Sequence, residues 1–528
     1  MLITYTTLLG WFFASGFWML KYPVENIAKA WKNRTTPYME FLNPEDKRNR
    51  TIRLFIGYAL IAVMIALASA ILVYLAQGYG YDPNKGLSQQ GLVFIDSKPA
   101  ATEILVDGQK SNDRVTLGEG SHEVTLKKAK YRDWSKSFNL EGGTVMYFVY
   151  PRLFPVDIPI GVTKVFPTPP AWVSQSPDRH WLLMQQTAES PVLTVFDLLN
   201  PHDDPKLLTI PADQLAVIKG QYGKIAPVEW SDDNQHVLMI QTSADGKKNY
   251  LVLDKDNTDK TVNITSKLNL IDGSVVTLRD KKYDKYFVHD VTTGELRTAD
   301  LKNGLVASPI LAGVVSFKSY ADNLLLYTTY TGAKANEAKV YALSNQTDKY
   351  LLQSLPRDPN SQYLLDMAQF DNNWYYVTAS VSGNQVYVFR NPLKRTKPSN
   401  KEAVVPQMSL ALQNPQYVSF SENTRFIGMQ SGKKFVVYDG EQNKVFKYSS
   451  PLNIAPTQQA KWMDGHRYKV VTDNKVQVFE FDGTNQQTLI ASSPDFMAYF
   501  DRDYTYVYTL INQADGKIGF ENGKLIIN

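Results

Sequence analysis

Cysteine is absent from all 528 residues, which excludes disulfides, thiolate metal sites, cysteine nucleophiles and lipid attachment to an N-terminal cysteine. Whatever folds here is held by packing alone. Net charge is scarce as well: 56 basic against 52 acidic side chains leave only +4, which argues against a nucleic-acid binder that relies on a strong basic field. Histidine occurs six times, and no G-x-S-x-G elbow, phosphate loop or dinucleotide fingerprint is present. These absences count against an esterase or peptidase domain and against nucleotide-dependent chemistry.

What the chain does have is Tyr (31) and Phe (24), with Thr, Val and Gly throughout. That mixture suits half-buried pleated surfaces joined by tight turns. A chain this long exceeds one ordinary core, so several domains are expected.

Residues 54–76 carry no charge over about 23 positions, enough for a helix to cross the hydrocarbon core. Lys47, Arg48, Arg50 and Arg53 precede this span and only Lys85 follows closely. The basic flank marks the cytoplasmic side, so everything from about residue 78 onward is expected to be extracytoplasmic, with Tyr74, Tyr79 and Tyr81 at the outer interface. Residues 1–20 are also uncharged and read as a second span, an interfacial helix or a start-site artefact. Residues 21–53, with Lys21, Lys29, Lys32 and Arg34, then form a cytoplasmic basic segment, and Met39 is an alternative start that would leave a single-pass protein.

After a spacer at 77–90, residues 91–150 show short alternating runs punctuated by Asp107-Gly108, Glu119-Gly120 and Gly142-Gly143. Consecutive strands of a small antiparallel sandwich are expected. Ser97-Lys98-Pro99-Ala100-Ala101, Ile104-Leu105-Val106-Asp107-Gly108, Gly120-Ser121-His122-Glu123-Val124 and Tyr131-Arg132-Asp133-Trp134 together resemble the PEGA domain. Lys130 stands where that family usually has Gly, and its Thr-Pro segment is shortened to Arg114-Val115-Thr116-Leu117. The resemblance implies a non-catalytic spacer or adhesion-type module of prokaryotic surfaces, with no active site to carry over.

Six prolines between 151 and 171 read as a stiff linker. From Trp172 to the end, a polar turn, an apolar strand, a gap and a second strand ending in Asp, Asn or Gly recur eight times. From Trp181 through Val237, Tyr286, Leu324, Trp374, Phe426 and Tyr468 to Tyr506 the interval is roughly 38 to 56 residues, the range of four-stranded propeller blades. An all-β ectodomain is therefore expected: the small sandwich plus a β-propeller over 172–528. Eight blades are counted, or seven if the short third copy merges with a neighbour, and a strand from 160–168 is placed to pair with the last blade. Ser176-Pro177-Asp178 and Trp230-Ser231-Asp232-Asp233 resemble the opening turn of TolB-like propellers.

Candidate chemistry is sparse. His122, His180, His202, His236, His289 and His466 fall in separate repeats, where turn or surface roles are expected over metal ligation. Asp254–Asp259 alternates oxygens like a calcium loop but lacks Gly at its sixth position and has Thr265 where the terminal Glu belongs, so it reads as a hairpin turn. Asp203-Asp204 and Asp232-Asp233 have the look of acid/base pairs yet sit where Asp caps turns. Trp374, Tyr375 and Tyr376 read as core or as a binding surface. No catalytic, cofactor or metal residue is assigned, and the ligand-binding residues stay unknown. The order of helix, PEGA-like module and propeller resembles membrane-anchored envelope proteins of Saccharibacteria-type bacteria. It implies a non-enzymatic integral membrane protein that binds a protein or an envelope polysaccharide at the surface. The competing expectations are a glycan-active propeller enzyme and a scaffold subunit of an envelope complex.

Overall fold

A computed structural model describes residues 44–76, 78–82, 86–320 and 324–527. The expectations for residues 1–20, for most of 21–53 and for a start at Met39 lie outside these. Two compact units divide the chain, Met1–Gln89 and Gln90–Asn528.

The first unit is built on helix α1, Pro44–Ala76. It begins about ten residues before the uncharged span, because Lys47 to Arg53 includes no helix breaker and continues the same turns. Its stretch Arg48–Ala76 is the one helix among the described residues long and apolar enough to cross a membrane. Within its unit the apolar side chains from Leu54 to Leu75 lie exposed, as a span that meets lipid requires. Strand β1, Tyr79–Asp82, then turns back antiparallel onto the start of β2, Gly86–Ile95, pairing Tyr79 with Gln89. Tyr79 and Tyr81 thus belong to a hairpin where a plain spacer was expected.

The second unit opens with the sandwich. The strands are β3 Glu103–Val106, β4 Gln109–Ser111, β5 Arg114–Gly118, β6 Gly120–Lys127, β7 Trp134–Leu140 and β8 Val145–Phe148. One sheet has the order β4-β3-β6-β7; in the other, β2 is flanked by β5 and β8. The core between them holds Val93, Ile95, Val124, Leu126, Trp134, Leu140 and Phe148. Two details depart from the simple antiparallel expectation. Arg114–Gly118 is a strand in its own right, and β8 runs parallel to β2, pairing Leu92 with Val145.

Eight four-stranded antiparallel sheets follow among the described residues, seven of them with all their strands in chain order from inner a to outer d. Blade 1 is Trp172–Gln175, Trp181–Gln185, Val192–Asp197 and Lys206–Thr209. Blades 2 to 6 begin at Lys224, Val275, Val314, Tyr363 and Tyr417. Blade 7 is Lys461–Trp462, Arg467–Thr472, Lys475–Glu480 and Gln487–Ala491. The third repeat keeps its own sheet, Val275–Val306, so the count is eight and not seven. Blade 8 takes Tyr499–Phe500, Tyr506–Asn512 and Ile518–Lys524, and its outer strand is β9, Ile160–Phe166, from the other end of the propeller sequence. The stretch 151–171 is therefore partly a strand; its prolines flank β9 at Pro159 and Pro167 and fall outside the paired register.

The ring closes because each blade is apolar on both faces. Separate hydrophobic clusters fill successive blade interfaces, and the last joins blade 8 to blade 1 through Phe166, Leu182, Phe196, Tyr508 and Phe520. Several c strands end in an Asp that folds its own c–d turn. Asp197 accepts the N–H groups of Leu199 and Asn200, Asp254 those of Asp256 and Asn257, and Asp439 those of Glu441 and Gln442.

Candidate functional site

Most of the imidazoles and carboxylates that stand out in the sequence are engaged by neighbouring groups. His122 lies 2.7 Å from both Asp107 Oδ2 and Gly118 O. His180 is 3.2 Å from Asp197 Oδ1, and His289 Nε2 is 3.0 Å from the Val314 carbonyl. His236 pairs with Asp233 Oδ2 at 2.7 Å and stacks on Tyr283. His202 is exposed. Asp233 Oδ1 also accepts the N–H groups of Gln235 and His236, while Asp203 and Asp204 are exposed beside the c–d turn of blade 1. No group of three or more His, Cys, Asp or Glu poised for a metal occurs among the described residues. Tyr375 and Tyr376 are buried in blade 5, and Trp374 is half-buried, edge-on to Tyr320. Beside Trp374 and Tyr376 a cavity of about 250 Å³ opens toward Leu324 and Lys394.

The sixth histidine leads to the best-built junction of the molecule. Strands within a blade alternate in direction, so a–b and c–d turns lie at one end of the ring and b–c and d–a connections at the other. The sandwich seats on the a–b end of blades 7 and 8. The Tyr150 ring stacks on His466 with centroids 4.5 Å apart. Trp134 Nε1 donates to Glu480 Oε1 at 2.6 Å, and Lys136 Nζ reaches Glu480 at 2.7 Å and Asp482 at 2.6 Å. Arg152 lies 4.4 Å over the Tyr504 ring, and Tyr131 Oη donates to the Ile527 carbonyl at 2.9 Å. Burial pulls the His466 imidazole down to about 3, against the opposing pull of Asp464, so it is neutral around pH 7. Arg467 and Asp464, both buried, pair at 2.8 Å and complete the polar floor.

At the opposite end of the same two blades lies a cavity of about 230 Å³. Its wall includes Lys461 from strand a and Lys469 from strand b of blade 7, with Val471, Phe496, Met497 and Gln458. The two lysines are direct cross-strand partners, so they point from the same face. The Lys469 ammonium lies 5.3 Å from the Phe500 ring centroid and 5.8 Å from that of Tyr499. Burial, reinforced by the charges of Arg179 and Lys461, draws Lys469 down to about 7, and burial also lowers Lys461. Sequence reasoning does not single out Lys469. Its one signal is a lysine inside the apolar run 468–471, at a position whose face packs on blade 8.

No family model matches the chain, and no curated protein matches it in sequence. Solved structures similar to it are β-propeller proteins. An oligogalacturonate lyase in complex with manganese is 10% identical, over 69% of this chain and 98% of its own, with a TM-score of 0.36. Hsv2 of Kluyveromyces lactis is 11% identical over 62% and 99%, with a TM-score of 0.37. The dihydro-heme d1 dehydrogenase NirN is 13% identical over 61% and 65%, with a TM-score of 0.36. Likeness at this level says nothing about function, and the propeller rests on its own eight sheets.

Proposed function

We propose that the chain is a membrane-anchored binding protein without catalytic activity, whose propeller lies outside the cytoplasm and holds a surface partner, either a protein or an envelope polysaccharide. The observation that carries this reading is the seat of the sandwich on one end of blades 7 and 8 through buried charged groups such as Glu480 and Arg467. Such a seat makes the sandwich and the propeller one rigid presenting unit. The sandwich leaves the d–a and b–c connections at the other end of those blades uncovered, the end that holds the Lys461 and Lys469 cavity.

Support for the orientation is the flank of α1, where Lys47, Arg48, Arg50 and Arg53 precede the span and Lys85 stands nearly alone after it. The likeness of 91–150 to the PEGA domain supports a surface setting, and the analogy to Saccharibacteria-type envelope proteins points the same way. Protease added to intact cells is expected to digest 172–528. The detergent-solubilised full chain, passed over glycan, peptidoglycan and surface-protein arrays, is expected to be retained without turnover. Protection of 172–528 until lysis, or release of a cleaved product from the arrays, would refute the reading.

A further inference from the structure

Like charges directly opposite each other on one face of a sheet repel, and such pairs are destabilising unless something neutralises them. Lys461 and Lys469 form this pair at the inner edge of blade 7 and share one cavity wall. Neither ammonium has an ion-pair partner among the described residues. Glu422, the acidic group whose charge reaches Lys469, is already paired with the Arg179 guanidinium and accepts the Tyr504 hydroxyl at 2.9 Å. Arg179 also reaches Lys469, its guanidinium met by that same carboxylate. Asp495 lines the same cavity and pairs with neither lysine. Positive potential is thus concentrated in a concave, partly desolvated space, where field is stronger than on an open surface. The rest of the wall is apolar at Val471, Phe496 and Met497.

We propose that this cavity binds a small organic oxyanion, its carboxylate or phosphate group set between Lys461 and Lys469 and its apolar body against Phe496 and Met497. The inference goes beyond surface binding and does not depend on it, since a small anion would occupy the cavity whichever side of a membrane the propeller faces.

Charge on Lys469 controls the site. The groups that face it are Lys461 on its own blade, Arg179 from blade 1, Glu422 from blade 6, Tyr499 from blade 8 and Asp495 from the connection between blades 7 and 8. With Lys469 titrating at about 7 in the empty site, an anion that needs the protonated amine binds less well as pH rises, and binding draws a proton in.

The test uses the full chain in detergent micelles and two probes, benzoate and phenyl phosphate, titrated calorimetrically. Benzoate stays ionised across the range and carries the pH arm. Its affinity is expected to fall about tenfold from about pH 6 to about pH 8, as the protonated fraction of Lys469 does. The two probes compared at the lower pH distinguish a carboxylate site from a phosphate site. Lys469→Gln is expected to weaken the preferred probe at least about tenfold, the loss of one charge-assisted contact. Lys461→Gln, at the more open of the two lysine positions, is expected to weaken it as well. Failure of both probes to bind at millimolar concentration, pH-independent binding, or unchanged binding in Lys461→Gln would overturn the proposal.

Discussion

Trp134 in the sandwich donates its indole N–H to Glu480 at the end of the third strand of blade 7, at 2.6 Å and across 346 residues of chain. Both are buried, and the second carboxylate oxygen takes the Lys136 ammonium at 2.7 Å. A buried carboxylate needs every one of these partners, because none can be replaced by water.

Glu480→Ala is therefore expected to leave the Trp134 N–H unpaired and Lys136 with only Asp482 and Thr484, and to cost about 2 kcal/mol. Chemical denaturation measures the loss, and limited proteolysis near 151 should show the sandwich lifting from the propeller. The double substitution Lys136→Met with Glu480→Leu removes the ion pair but leaves Asp482 and the Trp134 N–H without these partners, so it is expected to recover only part of the stability. Equal stability of Glu480→Ala and the native chain would mean that the junction is not closed to water.

His466 predicts how the protein responds to acid. Its folded pKa, about 3, lies below the ordinary unfolded value near 6.5, so the unfolded chain takes up a proton that the folded one refuses. Its contribution is complete above about 6.5 and is lost as pH falls toward 3, at up to about 1.4 kcal/mol per pH unit. His466→Phe keeps a ring against Tyr150 and should flatten this part of the stability profile. Parallel profiles for the two proteins would contradict the assignment.

Gly428 in blade 6 is required by its neighbours. A Cβ there would overlap the Tyr468 hydroxyl and crowd Trp462, whose ring stacks on Tyr468 with centroids 3.9 Å apart. Gly428→Ala is expected to cost about 2 kcal/mol through overpacking. The Tyr468 hydroxyl is buried with no hydrogen-bond partner among the described residues, so Tyr468→Phe alone should be neutral or stabilising. Combined with Gly428→Ala it should restore part of the loss. Additive effects in thermal melts would refute the steric account.

β9 closes the ring, and its loss should open it. Replacing Ile160–Phe166 by a Gly/Ser segment of equal length removes Phe166 from the blade 8 and blade 1 cluster and leaves the Ile518–Lys524 strand unpaired on one side. Exposed strand edges recruit other chains. Concentration-dependent association in light scattering and a lower melting midpoint are expected; a monomer of unchanged stability would show that the closure is dispensable.

The repeat was legible because the traced runs are the middle strands of each blade. In blade 1, Leu182 to Gln185 and Leu193 to Phe196 are buried on both faces, so they read as mainly apolar runs, with Gln185 and Thr194 the polar members. Inner and outer strands such as Trp172–Gln175 and Lys206–Thr209 are half-exposed and carry no comparable pattern. The same reasoning explains why Arg114–Gly118 does not stand out as a strand: its alternation of exposed and half-buried residues at a sheet edge resembles a turn. The Asp-rich turns read correctly as turns for the opposite reason, since an Asx cap involves only residues two or three positions apart.

By itself the amino-acid sequence determined the apolar stretch of α1 from 54 to 76, the alternation that makes the sandwich and blade strands, and the capped turns between them. All of these depend on neighbours a few positions away, through helical rise, the two-residue period of a strand, or short-range backbone hydrogen bonds. Only the tertiary structure decided that Trp134 meets Glu480, and that Lys461 and Lys469 share a cavity in which neither has an ion-pair partner among the described residues. Those relationships exist because a closed ring brings distant segments to one place, and no local period in the chain records which ones will meet.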